Sequence, residues 1–121
     1  MALASMQLYL ADVPFDDAGT TKYRPALIIV PGRDTSRIFK VTSRFNSKSA
    51  TIQAVYFPLQ DWQAAGLKRP SWVDCHRLYN IATAQLVRRR LIGQLSDADT
   101  ARLFRFVKDH RAAIQHVQNR D

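Results

Sequence analysis

The sequence contains no glutamate; all ten of its acidic residues are aspartate. Zinc peptidases and zinc deaminases whose general base is a glutamate are therefore excluded. Cysteine is nearly absent too. Cys75 is the one thiol, so an internal disulfide is impossible, no cysteine cluster can hold zinc, and a reducing compartment fits. The four glycines stand apart at positions 19, 32, 66 and 93, and neither standard spacing of a Gly-rich phosphate loop is met. The longest clean apolar run, Ala26 to Val30, falls far short of the ~20 residues a membrane helix needs. The opening segment MALASMQLYLADVP has no basic residue ahead of its apolar part and makes a poor secretory signal. These absences point to a cytoplasmic protein without a membrane partner, with Met6 as a second candidate start.

What is present describes an ordinary globular chain. Its 121 residues are 46% hydrophobic and 23% charged, which predicts a single domain over residues 1–121. Eighteen Lys and Arg against ten Asp give a net charge of +8, and such a balance favours a polyanionic partner, nucleic acid or an acidic protein.

Met6 to Val13 alternates as a first strand and stops at Pro14. Phe15 to Tyr23 collects Asp16, Asp17, Gly19, Thr20 and Thr21, a loop composition. Arg24 to Val30, Arg37 to Thr42 and Thr51 to Phe57 read as three further strands in a meander. A helical turn over LQDWQAAG closes at Gly66, Ser71 to Ile81 returns to strand character, and Leu86 to Leu95 reads as a last strand interrupted at Arg88 to Arg90. Ser96 with Asp97 and Asp99 forms a helix start, followed by Leu103, Phe106, Val107, His110, Ile114 and Val117 at spacings of three and four. Strands followed by one closing helix make an α+β fold, the helix covering a small, strongly bent antiparallel sheet or barrel.

Few residues offer catalysis by themselves. His110 and His116 are six apart on the expected helix and diverge too far to grip one metal ion. Asp16 and Asp17 are adjacent carboxylates in a turn, a pattern that is mostly solvated, and no metal or cofactor is expected. The cations say more: from Ala18 to Leu59 Lys22, Arg24, Arg33, Arg37, Lys40, Arg44 and Lys48 stand against one acid, Asp34, with Phe15 just ahead of them and Tyr23, Phe39 and Phe45 among them. That mixture suits single-stranded nucleic acid, cations tracking phosphates while aromatic rings stack bases. Composition alone fits a solvated basic face with core aromatics equally well.

Order along the chain narrows the choice. A strand ending in Val13-Pro14-Phe15, then KYRP at Lys22 to Pro25 running into ALIIV, VTSRF at Val41 to Phe45, PSW at Pro70 to Trp72 and LIGQLSD at Leu91 to Asp97 together resemble the MazF/PemK family of toxin–antitoxin toxins. The resemblance spans about Met6 to Val107. It implies a small, strongly bent antiparallel β-barrel with a C-terminal α-helix, shared with the CcdB-type gyrase poisons. It also implies a metal-independent endoribonuclease, an mRNA interferase, that acts as a homodimer on single-stranded RNA and leaves a 2′,3′-cyclic phosphate and a 5′-hydroxyl. Its partners would be a cognate antitoxin and, through that antitoxin, operator DNA.

The family's active-site Arg and Thr carry over to Arg24 and Thr42, with Ser43 beside them. Arg24 suits phosphorane stabilisation, because its planar fork matches phosphate oxygens and it keeps its proton. Lys22, Lys40, Arg44, Lys48, Phe15, Phe45 and Asp74 complete the expected RNA-binding set. One strand departs from the family pattern: where relatives carry an Arg and then an Asp two residues on, this chain has Asp74 and His76. Either the acid–base pair is reversed, with His76 catalytic, or the assignment does not transfer and His76 is a packed residue. Cys75 between them reads as a small buried hydrophobe. The arginines at 88 to 90 lie outside all the motif segments. The altered strand keeps a second reading open, a non-cleaving barrel that binds nucleic acid or poisons gyrase as CcdB relatives do.

Overall fold

Apolar residues recurring every second position lay down the first strands of the computed structural model, which describes residues 3–14, 21–88 and 90–120. Strand β1 (Gln7–Pro14) pairs antiparallel with β2 (Thr21–Val30), Leu8 facing Leu27 and Ala11 facing Arg24. β2 begins at Thr21, before the expected Arg24, so Thr21 to Tyr23 of the expected loop are strand, and the rest of that expectation, residues 15–20, lies outside the described residues. β2 then pairs with β3 (Thr35–Thr42), setting Leu27 against Phe39 and Ala26 against Lys40.

The next stretch corrects the sequence reading. Thr51 to Phe57 is not one strand. Ser49 accepts the Ile52 N–H at 3.3 Å and caps a single helical turn, α1 (Ala50–Gln53), leaving only β4 (Tyr56–Pro58) extended. A local hydroxyl-to-amide bond here overrides β-branched propensity. LQDWQAAG forms turns closed by Gly66 at φ +94°. β5 (Trp72–Ala82) pairs with β3 on one side and β4 on the other. Leu86 to Leu95 divides between α2 (Thr83–Val87) and β6 (Leu91–Gln94), and β6 joins the free side of β1. The sheet order is β4-β5-β3-β2-β1-β6.

The ladder breaks register between Leu8 and Tyr9, between Ile28 and Val30 and between Ile38 and Lys40. Such bulges bend a strand and sharpen its twist. The last is the widest: Ile38 faces Tyr79 and Lys40 faces Asp74, so Phe39 alone stands opposite Cys75 to Leu78. Tyr56 and Phe57 from one edge and Leu95 beside the other belong to one buried cluster with Leu8, Leu27 and Leu103. The sheet thus curves around a shared core, as expected, although β4 and β6 do not pair to close a barrel among the described residues. Tyr9, Ala26, Ile28, Ile38, Ile81 and Leu86 form a second cluster.

Ser96 caps α3 (Asp97–Asp109) by accepting the Asp99 N–H at 3.0 Å, as the sequence predicts. The expected single helix is two: the chain breaks at His110 (φ −111°, ψ 23°) and resumes as α4 (Arg111–Arg120). The His110 ring stacks on Phe106 at 3.9 Å, with Nδ1 2.8 Å from the Phe106 carbonyl oxygen. No helix among the described residues is long and apolar enough to cross a membrane.

Candidate active site

Two adjoining clefts share Leu10, Pro25, Val41, Thr42 and Ser43 as a common floor. The smaller, about 190 Å³, adds Tyr23, Arg24 and Arg44. The larger, about 280 Å³, adds Gly66, Leu67, Lys68, Arg69, Ser71, Arg90 and Ile92. Pairing explains the meeting of Arg24 and Thr42. They lie on β2 and β3, which the Ala26–Lys40 pair holds in register two residues away, and residues two apart on a strand share a face.

Thr42 ends β3 and also shapes the turn that follows. Its Oγ1 accepts the Arg44 N–H at 3.1 Å, a Ser/Thr turn that leaves the hydroxyl proton free to be donated. Ser43 and Arg44 are exposed, Arg24 and Thr42 half-buried. Arg24, Arg44, Lys68, Arg69 and Arg90 line the combined groove, and among the described residues no carboxylate or imidazole lines it. Positive charge facing positive charge at a concave surface focuses a field that draws in anions.

The remaining expected residues scatter. The Lys40 side chain is 4% exposed, its Nζ 3.9 Å from Asp74 Oδ2 and 5.1 Å from the Tyr79 ring centroid; it is a core cation rather than a surface phosphate contact. Phe45 stacks on Trp72 with centroids 4.8 Å apart, so that face of the ring is already used. Lys48 sits in the turn beyond β3, its N–H on the Phe45 carbonyl at 3.1 Å, and does not line the groove. The Lys22 side chain and all of Phe15 lie outside what is described.

His76 and Asp74 are buried together at 4% and 2% exposure. Asp74 Oδ1 accepts the His76 backbone N–H at 3.2 Å and lies 2.6 Å from its Nδ1. His76 borders a different cavity, with Phe39, Cys75, Val107, Ile114 and Gln118 under the C-terminal helices, and Gln118 Nε2 donates to its carbonyl at 2.7 Å. Thr42 pairs with Trp72 and Lys40 with Asp74, so His76 lies four residues along β5 from the partner of Thr42. Burial, then the nearby Asp74 charge, push the Cys75 thiol far above its ordinary pKa, against a smaller lowering by a backbone hydrogen bond from Phe57; Cys75 is the buried hydrophobe expected.

Lys68, Arg69 and Arg90 are the groove residues that the sequence alone does not single out. They come from the turn after Gly66 and from the residue before β6, and only the fold makes them neighbours. Arg90 therefore belongs to the site although it lies outside the motif segments.

The chain shares its fold with solved toxins. The Mycobacterium tuberculosis toxin MazF-mt6 superposes with a TM-score of 0.63 at 21% identity, over 85% of this chain and 93% of that one. An endoribonuclease from a mycobacterial species gives 0.64 at 11% identity, over 93% of both chains. A further M. tuberculosis toxin gives 0.59 at 19% identity, over 85% of this chain and 97% of that one. No curated protein sequence matches significantly. The family model of the PemK-like, MazF-like toxins of type II toxin–antitoxin systems matches residues 5–110. With a match over most of its length, and with Arg24 and Thr42 meeting in one cationic groove, the chain belongs to the PemK-like, MazF-like toxin family.

Proposed function

We propose that this toxin is a metal-independent endoribonuclease that cleaves single-stranded RNA through the RNA's own 2′-hydroxyl, leaving a 2′,3′-cyclic phosphate and a 5′-hydroxyl. One observation carries the reading: Arg24, Thr42 and Ser43 line one groove whose charged lining, among the described residues, is cationic throughout. In-line attack of the 2′-oxygen on the neighbouring phosphorus forms the P–O2′ bond and breaks the P–O5′ bond; water takes the 2′-hydroxyl proton and supplies one to the departing 5′-oxygen, and negative charge builds on the equatorial oxygens in between. Arg24 meets that charge with its fork, and the Thr42 and Ser43 hydroxyls donate to the same oxygens. A single donor of this kind is worth about 10²–10³ in rate.

In this reading the buried Asp74–His76 pair acts on the fold of β5 and leaves the reacting atoms to the groove. The toxin works in the cytoplasm as a homodimer, is held inactive by a cognate antitoxin, and reaches operator DNA only through that antitoxin. Support for these partners comes from family membership and from the cationic groove, which suits RNA and an acidic antitoxin segment alike.

The absence of carboxylate and imidazole from the described groove lining favours a second reading, a non-cleaving module that binds nucleic acid or gyrase. Purified protein incubated with a long RNA in chelator separates the two. Cyclic-phosphate ends that vanish with Arg24→Ala support the nuclease; intact RNA refutes it.

A further inference from the structure

The cavity beneath the C-terminal helices stands apart from the Arg24–Thr42 groove. It holds about 430 Å³, more than either groove cleft, and shares no lining residue with them. A hollow of that size accommodates a small molecule. Its origin is the mismatch between β3 and β5. Phe39 alone stands opposite Cys75 to Leu78, so the surplus of β5 backbone leaves the ladder and its polar groups need other partners. The Cys75 N–H bonds the Val55 carbonyl at 3.0 Å, the His76 N–H bonds Asp74 Oδ1 at 3.2 Å, and the His76 carbonyl accepts Gln118 Nε2 at 2.7 Å. Bonds to neighbouring elements thus hold the bulge in place, and the hollow beside Phe39 is formed before any ligand arrives.

Helix α4 supplies part of the enclosure. Ile114 and Val117 bury themselves in the main core cluster, while Ile114 and Gln118 border the cavity. Residues 111–120 lie beyond the stretch 5–110 that the family model spans, so the cavity is built with a helix outside the family's shared domain. Its lining divides by chemistry. Phe39, Leu78, Val107 and Ile114 are apolar; Arg37 and Arg77 are exposed cations, and among the described residues no carboxylate lines it. The Arg77 guanidinium lies 5.9 Å from the Tyr79 ring centroid. Asp74, behind His76, has the Lys40 ammonium beside it at 3.9 Å, which offsets its charge. An apolar hollow with arginines at its exposed side suits a ligand divided the same way, an apolar body carrying one anionic head.

We propose that this cavity binds a small amphipathic carboxylic acid, Arg77 and Arg37 meeting the carboxylate and Phe39, Leu78, Val107 and Ile114 enclosing the body. The site goes beyond the nuclease reading and does not depend on it. A ligand here touches β3, β5, α3 and α4 together, on both sides of the helix break at His110. Its binding therefore favours the docked position of α4 over any undocked one.

The test titrates the full chain with 4-phenylbutyrate and, as charge controls of the same body, 4-phenylbutanol and 4-phenylbutylammonium. The acid is expected to bind with a Kd of about 1 mM or tighter, and about tenfold or more tighter than either control. Amide hydrogen exchange across residues 111–120 is expected to slow as it binds. Two variants, each checked for an intact melting transition, locate the site. Arg77→Glu, at an exposed position, is expected to weaken the acid about tenfold or more and leave the alcohol unchanged. Leu78→Trp, which adds bulk to an apolar wall, is expected to weaken acid and alcohol alike. Should Leu78→Trp not fold, Arg77→Glu and the exchange data decide. Equal affinity for the three probes shows a plain apolar hollow and overturns the site, as does an acid affinity untouched by Arg77→Glu. Binding to phosphatidylglycerol vesicles or to poly-aspartate, with no binding of the free acid, overturns it in favour of a lipid surface or an acidic peptide.

Discussion

His76 Nδ1 lies 2.6 Å from Asp74 Oδ1 inside the sheet, with the Lys40 ammonium 3.9 Å from the other carboxylate oxygen. Two residues that a linear reading places in the chemistry thus satisfy each other in the core. His76→Ala removes the imidazole from Asp74 Oδ1, leaving it the backbone N–H of residue 76 with Lys40 nearby, and is expected to cost about 2 kcal/mol of stability, as for a lost buried hydrogen bond to a charged group. Denaturant unfolding measures the loss. The cleavage rate under folding conditions is expected within about threefold of wild type, with an unchanged pH profile, against the 10²-fold or greater loss typical of a missing general acid. A large kcat loss without a stability loss returns His76 to catalysis.

Arg24→Ala is expected to lower RNA cleavage by about 10² or more while the melting temperature stays near that of wild type. The side chain is half-buried at a cleft wall, and the guanidinium is the term removed from the phosphorane. Arg24→Lys recovers little, because one ammonium does not reproduce a two-pronged contact. Full activity in either variant removes Arg24 from the site.

Asp99 carries a heavier structural load than its place in a helix start suggests. It is 1% exposed, accepts the N–H groups of Gln60 at 3.2 Å and Asp61 at 2.8 Å, and receives Arg102 Nη2 at 2.7 Å. Asp99→Ala strands two amides and leaves the Arg102 guanidinium only its longer contact with Asp61 Oδ2 at 3.4 Å, and is expected to destabilise by about 3 kcal/mol. Chemical denaturation checks it; a loss below about 1 kcal/mol contradicts the network.

Cys75 predicts a pH dependence with a definite sign. Its folded-state pKa is raised, so above the ordinary thiol pKa of about 8.5 the unfolded chain loses a proton that the folded chain keeps. This group's contribution is complete below that pH and declines by about 1.4 kcal/mol per pH unit above it. Cys75→Ala is expected to flatten the alkaline limb of a stability–pH curve. The native thiol also resists alkylation until the protein unfolds, and rapid labelling of folded protein at pH 8 excludes the burial.

Local rules reach as far as local causes do. Ser96, Asp97 and Asp99 announce α3 because the cap is made within four residues, and β2 follows from its own run of apolar side chains. Thr51 to Phe57 misleads because one hydroxyl at Ser49 wins the backbone for a helical turn. Arg24 and Thr42 are legible through motif order, since the same two segments meet on adjacent strands. Lys40 and His76 are not. Asp74 and His76 stand two apart on one strand face, but nothing near them in sequence announces that Lys40 will join them or that all three will be buried. Lys68, Arg69 and Arg90 are invisible for the opposite reason, since their proximity exists only once β6 has paired with β1 and the Gly66 turn has settled on it.

The contact of the Gly66 turn with β6 is made between main chains, at glycines on both sides. The gap between the two walls of the larger cleft is consequently a fixed gauge, set by peptide groups and indifferent to which side chains face into it. Exchanges at Leu67, Lys68, Arg69 or Ile92 would alter what the cleft reads without changing how wide it opens. Any side chain gained at position 66 or 93, by contrast, pries the frame itself apart.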